Sequence, residues 1–212
     1  MDKQKESFAY IFIKRIIDIL GGFVGCLLTL PILLCVKIAY LVTGDRHRII
    51  FAQERIGKNG KNIKIYKIRS MIKDADAALE KLLNEDQEAR EEYEKYKKLK
   101  HDPRITKVGS FIRRYSIDEV LQFFNVLKGD LSLVGPRPYL WREKEAMGDG
   151  YDLIITCKPG VSGYWQVNGR SNTDFAERLV MEKYYCQNKN TLMDLGILFK
   201  TFYKVIKKDG AE

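Results

Sequence analysis

Histidine is nearly missing from these 212 residues: only His47 and His101 occur. Cysteine is scarce too, at Cys26, Cys35, Cys157 and Cys186, and no two of these form a C-x-x-C pair. No zinc site can be drawn from those spacings. Cys26 and Cys35 lie in an apolar run, where cysteine behaves as a small hydrophobe. All four read as free thiols in a reducing compartment. No internal repeat and no low-complexity segment is found. No helix-turn-helix, RNA-recognition or zinc-finger pattern occurs, which argues against a nucleic-acid partner.

What is present is apolar and basic. Hydrophobic residues make up 45% of the chain, enough for a buried core in one domain or in one domain plus a membrane element. Lys and Arg number 37 against 28 Asp and Glu, a formal net charge of +9. That excess points to anionic partners such as phosphate groups or acidic lipid.

The charge is absent from one place. Ile19 to Val36, ILGGFVGCLLTLPILLCV, carries none. The run is too long for a usual signal-peptide core and lacks an A-x-A-like cleavage site, so a membrane helix fits better. Two features set it apart from an ordinary span. Pro31 sits near the middle, where it removes a backbone donor. Basic residues stand on both sides, Lys14 and Arg15 before and Lys37, Arg46 and Arg48 after, so the positive-inside tendency favours neither orientation. Both ends on the cytoplasmic face, with a proline-kinked re-entrant helix between, satisfies both features. A plain span with a tolerated proline is the competing reading.

Residues 49–72 read as short strands, with Gly57-Lys58-Asn59-Gly60 as a turn and Ile63, Ile65 and Ile68 giving strand-like alternation. More than half of residues 73–102 are charged, and Glu91/Lys95 and Glu94/Lys98 are i,i+4 pairs. This is a solvated helix or helical hairpin ended by Asp102-Pro103, an insertion without chemistry. The tail from Arg178 to Lys208 is helical. Its Leu192, Leu195, Leu198, Phe199, Phe202, Val205 and Ile206 recur at helical spacing, with Lys200, Lys204, Lys207 and Lys208 among them. Such a helix can lie on an anionic bilayer or face the core.

The most informative stretch runs from Asp102 to Pro138. Ser116-Ile117-Asp118-Glu119 has the form of a capping box before VLQFFNVL. It predicts a helix start with Asp118 in the first turn. The same geometry suits catalysis, because a carboxylate at a helix N-terminus stays ionised and can act as a nucleophile. Neighbouring carboxylates can also hold Mg²⁺ together with substrate phosphates. Arg104, Arg113 and Arg114 precede the motif. Arg137 sits between Pro136 and Pro138, and Arg170 follows Asn168-Gly169 in a Gly-rich stretch. Arginine suits bidentate phosphate contacts, though each of these alone is more often a solvated surface charge.

The run SIDEVLQFFNVLKGDLSLVGPRP, with KIYKIRSM upstream and KPGVSGYWQVNGRS downstream, closely resembles the bacterial sugar transferase family. These are monotopic polyprenol-phosphate phosphoglycosyl transferases. The likeness runs from Lys14-Arg15 to about Lys204 and rests on three separate motifs in order. It implies a catalytic pair at Asp118 and Glu119, attack of the aspartate on the sugar-bearing phosphorus, and Mg²⁺ held by the same two residues. It implies phosphate-binding residues at Lys67, Arg113, Arg137 and Arg170, and a re-entrant helix around Pro31. Val120-Leu121 stand where the family usually reads Leu-Pro, and Leu30-Pro31 where some members carry Ser-Pro. The N-terminal bundle of spanning helices of larger members is expected to be absent. The charged insertion is similar to that of the galactose- and glucose-phosphate transferase branch.

The expectation is therefore an α/β (α+β) fold: a small, mostly helical catalytic domain with few strands and one re-entrant membrane helix. Residues 1–48 would form the N-terminal segment and membrane helix. Residues 49–212 would form a cytoplasmic catalytic domain with the insertion at 73–102 and a C-terminal amphipathic helix. The expected activity is transfer of a hexose-1-phosphate from a UDP-sugar to polyprenyl (undecaprenyl) phosphate. UMP is released and an aspartyl-phosphosugar intermediate forms, at the inner membrane of a bacterium, starting a surface polysaccharide or glycoconjugate. The alternative is a membrane-tethered basic module that binds acidic lipid or nucleic acid. Oligomeric state is open.

Overall fold

The computed structural model describes residues 7–169 and 173–207. It opens with helix α1, Phe8–Val42, with Pro31 inside it. Among the described residues α1 is the one helix long and apolar enough to cross a membrane. It starts ahead of Lys14 and Arg15, so that basic pair lies within the helix. Tertiary partners make this possible. Lys14 Nζ donates to Asp194 Oδ2 at 2.7 Å and to the Val134 carbonyl at 2.8 Å. The Arg15 guanidinium donates to the carbonyls of Val126 and Leu127.

One face of α1 docks on the rest of the chain. Asp18, Gly22, Gly25, Thr29, Val36 and Tyr40 are its buried residues, at intervals that keep one helical face. Gly25 is required by close approach: a Cβ there would stand 2.2 Å from the ring of Phe123. The opposite face, with Phe12, Leu20, Phe23, Leu27 and Leu34, is exposed, an apolar surface that hydrocarbon would cover.

Strands β1, Ile50–Ile56, and β2, Asn62–Ile68, form the expected antiparallel hairpin, with Ile50 opposite Ile68. Its turn places Asn59 and Gly60 at φ 58° and 73°, which asparagine and glycine tolerate best. Ile63 and Ile65 point into one cluster with Val126 and Leu131. Ile68 has the opposite parity and joins a different cluster, with Val36 and Tyr40 of α1 and with Ile112 and Leu121. The hairpin thus lies between two apolar bodies.

The charged segment forms α2, Ala75–Glu85, and α3, Gln87–Tyr96, with Asp86 capping the latter by accepting from Ala89 N–H at 3.0 Å. Helix α4, Lys107–Arg114, is capped by Thr106, and α5, Gln122–Lys128, ends at Gly129 in the left-handed region. The short strands β3, Ser132–Val134, and β4, Gly160–Ser162, run parallel. Just beyond them the two backbones touch, since a Cβ on Gly160 would lie 2.1 Å from the Gly135 nitrogen. Helices α6, Gly150–Ile154, α7, Tyr164–Asn168, α8, Phe175–Asn188, and α9, Thr191–Lys207, complete the chain. Their core includes Tyr139, Phe175, Tyr185 and Ile197.

The tail is therefore two helices. Asp174 and Glu177 form a reciprocal capping box for α8, and Asn190 Oδ1 accepts from Met193 N–H at 3.0 Å to start α9. Helix α9 buries Asp194 and Ile197 but leaves Leu192, Phe199, Phe202 and Val205 exposed. One face of that helix is thus core-facing, and the other is exposed and apolar. The fold is mostly helical with few strands. All four cysteines are free.

Candidate active site

Asp118 and Glu119 do not begin an α-helix. They lie in a 3₁₀ turn, Ile117–Glu119, ahead of α5. Ser116 sits in the left-handed region at φ 53° and makes no side-chain cap, so the expected capping box is absent. The reason is tertiary. Lys67 on β2 takes the Glu119 carboxylate, with Nζ donating to Oε1 at 2.7 Å. The same ammonium stands 3.8 Å from Asp118 Oδ2. Non-glycine residues in that backbone region cost about 1 kcal/mol or more and persist only where surroundings hold them.

Those surroundings are specific. Ile117, Val120 and Leu121 pack on the cluster built from α1, β2 and α4, and the Val120 carbonyl accepts from Thr29 Oγ1 of α1 at 3.1 Å. The fully buried Asn125 of α5 bonds the backbone of β2 from both ends of its amide: Nδ2 donates to the Lys64 carbonyl at 2.7 Å, and Oδ1 accepts from Tyr66 N–H at 3.1 Å. Lys67 is the next residue, so its distance to the two carboxylates is set by a rigid joint.

Burial pushes the Asp118 carboxyl up to about 6, against the pull of Lys67 and with the push of Glu119. This corrects the expectation of helix-dipole stabilisation, for which the 3₁₀ turn offers little. Burial raises Glu119 too, but the charge and hydrogen bond of Lys67 outweigh it and hold that carboxyl below its usual range. Two carboxylates and one ammonium leave the centre short of positive charge. Among the described residues no group of three or more His, Cys, Asp or Glu could hold a metal. Magnesium needs no such cage, since one or two carboxylates with substrate phosphates and water suffice. Asp118 and Glu119 therefore fit that ion.

Arg137 reaches this centre from the loop after β3, and its charge acts on Glu119. The loop is pinned at both ends. Arg137 N–H donates to Glu182 Oε1 at 2.9 Å, and Arg55 Nη1 donates to the Pro138 carbonyl at 2.9 Å. Arg113 is exposed on α4 and acts on Asp118 by charge. Arg104 turns elsewhere, bonded to Asp102 at 2.6 Å. Arg170 lies outside the described residues. Sequence reasoning missed Arg55, Tyr139, Trp165, Arg178 and Glu182, which gather behind Arg137. Trp165 stands in the KPGVSGYWQVNGRS run, but no local motif marks Arg178 and Glu182, because α8 reads as an ordinary mixed helix.

Residues 9–208 match the family model described as bacterial sugar transferase. The chain is 44% identical over 200 residues to an undecaprenyl-phosphate galactose phosphotransferase of Salmonella typhimurium, covering 94% of this chain and 42% of the relative. It is 36% identical to a UDP-glucose:undecaprenyl-phosphate glucose-1-phosphate transferase of Escherichia coli, covering 91% and 40%. It is 35% identical to the exopolysaccharide production protein ExoY of Rhizobium meliloti, covering 93% and 87%. The chain thus spans less than half the length of the first two relatives and most of the third.

Proposed function

The chain belongs to the bacterial sugar transferase family, and from that premise we propose that it moves a hexose-1-phosphate from a UDP-sugar to polyprenyl phosphate. The observation that carries this reading is the centre itself: two adjacent carboxylates with Lys67 Nζ at 2.7 and 3.8 Å, Arg137 acting on Glu119 from a pinned loop and Arg113 acting on Asp118. An Asp118 oxygen attacks the phosphorus that bears the sugar, and the bond from that phosphorus to UMP breaks. An oxygen of polyprenyl phosphate then attacks the same phosphorus, the bond to Asp118 breaks, and the carboxylate is restored. Lys67, Arg113 and Arg137 offset charge on the phosphates. A magnesium ion held by Asp118 and Glu119, when bound, supplies further charge neutralisation.

A panel of UDP-sugars with the detergent-solubilised chain and polyprenyl phosphate tests this. UMP release is expected with UDP-galactose or UDP-glucose: the name of the E. coli relative gives UDP-glucose, and that of the S. typhimurium relative gives galactose. A basic binding module would release none. A strong preference for a UDP-N-acetylhexosamine would overturn the donor assignment while leaving the transferase.

The re-entrant topology belongs to the same proposal. Lys14 and Tyr40 are about 39 Å apart along α1 at helical rise. Both bond the same cytoplasmic body: Lys14 bonds Asp194, and Tyr40 Oη donates to the Arg69 carbonyl. A helix crossing a hydrocarbon layer about 30 Å thick would part those contacts. Pro31 lacks an N–H, which is compatible with a bend at mid-helix. In intact cells, single cysteines at Ser7 and His47, in a background lacking the native four, should both resist an impermeant maleimide until permeabilisation. Labelling of only one would refute re-entry.

A further inference from the structure

Behind Arg137 lies a buried polar cluster whose hydrogen bonds are unfinished. Arg137 Nε, Arg178 Nε, Trp165 Nε1 and Tyr139 Oη are buried donors without partners among the described residues, and Gln166 Oε1 and Glu182 Oε2 are oxygens in the same condition. Glu182, Tyr139 and Arg178 are 0%, 2% and 3% exposed. Unfilled buried polar atoms each cost about 1–3 kcal/mol, so Arg137, Tyr139, Arg178 and Glu182, which act on one another by charge, with Trp165 under the Arg178 guanidinium, call for a missing partner.

The charge and the donor count say what kind. The Arg178 guanidinium lies 4.1 Å over the Trp165 ring. Burial and the charge of Arg137 both depress Arg178, and they push Arg55 down to about 10. Neither Arg137 nor Arg178 has a carboxylate in ion-pair range of its side chain among the described residues. Burial pushes Glu182 up to about 8, so it is neutral at pH 7. Its Oε1 accepts from Arg137 N–H, which leaves the proton on Oε2 as one more donor. The unfilled atoms of Arg137, Tyr139, Trp165, Arg178 and protonated Glu182 are thus all donors. An acceptor-rich anion is the complement.

We propose that Arg137, Tyr139, Trp165, Arg178 and Glu182 form a subsite for a phosphate group, that of the nucleoside monophosphate released from the donor. The identification as UMP rests on the proposed function. The phosphate chemistry rests on the cluster alone. Arg137 joins the two halves, acting on Glu119 on one side and hydrogen-bonded to Glu182 on the other. It can therefore hold a donor whose one phosphorus is under attack at Asp118 while the other sits in the cluster. Arg178 and Glu182 hold and orient the leaving group without touching the attacked phosphorus.

The test is calorimetric binding of UMP, inorganic phosphate and uridine to the whole detergent-solubilised chain, which needs no turnover. UMP and phosphate should bind and uridine should not. Arg178→Gln should weaken UMP by about tenfold or more. Glu182→Gln removes the titrating proton, so its own UMP affinity at pH 7 is the baseline against which its pH profile is read. The groups facing Glu182 are Arg137 and Tyr139 from the loop after β3, Arg178 and Cys186 on its own helix and Cys157 ahead of β4. As pH rises through about 8 Glu182 ionises, loses its donor and repels phosphate. UMP should therefore weaken by roughly tenfold between about pH 7 and about pH 9 in wild type and stay flat in Glu182→Gln. Packing alone would not produce that difference. If folded Arg178→Gln binds UMP as wild type does, or if uridine binds as well as UMP, the subsite is wrong. If Arg178→Gln fails to fold, the two pH profiles decide: identical profiles overturn the proposal. UMP binding that depends on Arg178, in a chain that releases no UMP from any UDP-sugar, would sink the transfer reaction and leave the subsite standing.

Discussion

Asp118→Asn should abolish turnover, by about 10,000-fold or more, while the protein stays folded. Asn has the shape of Asp but cannot form the phosphosugar ester. The fold has no reason to object. Burial raises Asp118 above its ordinary value, so the stability linked to this group is greatest when it is protonated and is lost as pH rises through about 6. Removing the charge at pH 7 should hold or raise the melting temperature in magnesium-free buffer. The decisive measurement is intact-protein mass after incubation with donor alone, without polyprenyl phosphate. Wild type should gain one hexose-phosphate and release UMP, and Asp118→Asn should do neither. A wild-type protein that never gains the adduct, with kinetics requiring both substrates together, would remove the covalent step and leave direct transfer.

Arg137→Ala should lower kcat/KM by about 100-fold or more, near 2.7 kcal/mol of transition-state stabilisation. The substitution is a clean one. The loop is held by Pro136 and Pro138 and by the Arg137 backbone N–H on Glu182, and none of these needs the side chain. What is lost is a cation whose charge acts on Glu119 and which, among the described residues, has no carboxylate in ion-pair range. Arg90→Ala is the control. Its Nε bonds the Leu83 carbonyl on the exposed α2–α3 pair, so activity should stay within about twofold, as expected of a surface position. Equal, small effects at both positions would remove the phosphate cradle.

The readings that held rest on local pattern. A charge-free apolar run of 18 residues is too long for a buried strand and forms a helix. Ile63 and Ile65 alternate because strands alternate. The charged block between β2 and α4 has too few apolar residues to be anything but a solvated helical pair. The reading that failed at Ser116 shows the limit. Ser-x-x-Glu before an apolar run satisfies every local rule for a helix start. Yet Lys67, 52 residues earlier in the chain, sits 2.7 Å from Glu119 and takes the carboxylate that the cap would use. Asn125 is similar: inside a helix it reads as a weak helix former, while in the fold it bonds the backbone of β2.

By itself the sequence determined the long apolar helix, the β1–β2 hairpin and the charged helical pair, and it offered Asp118 and Glu119 as the candidate centre. Hydrophobic period, glycine and proline placement, and the pair of adjacent carboxylates are properties of neighbours along the chain. Only the tertiary structure decided which cation faces Asp118 and Glu119, which way their turn is wound, and that Arg178 and Glu182 stand behind Arg137. Burial decides those matters, because it raises the free energy of every charge and every unfilled hydrogen bond. The partner that answers each buried group is chosen across space, by whichever residue the packing brings within reach.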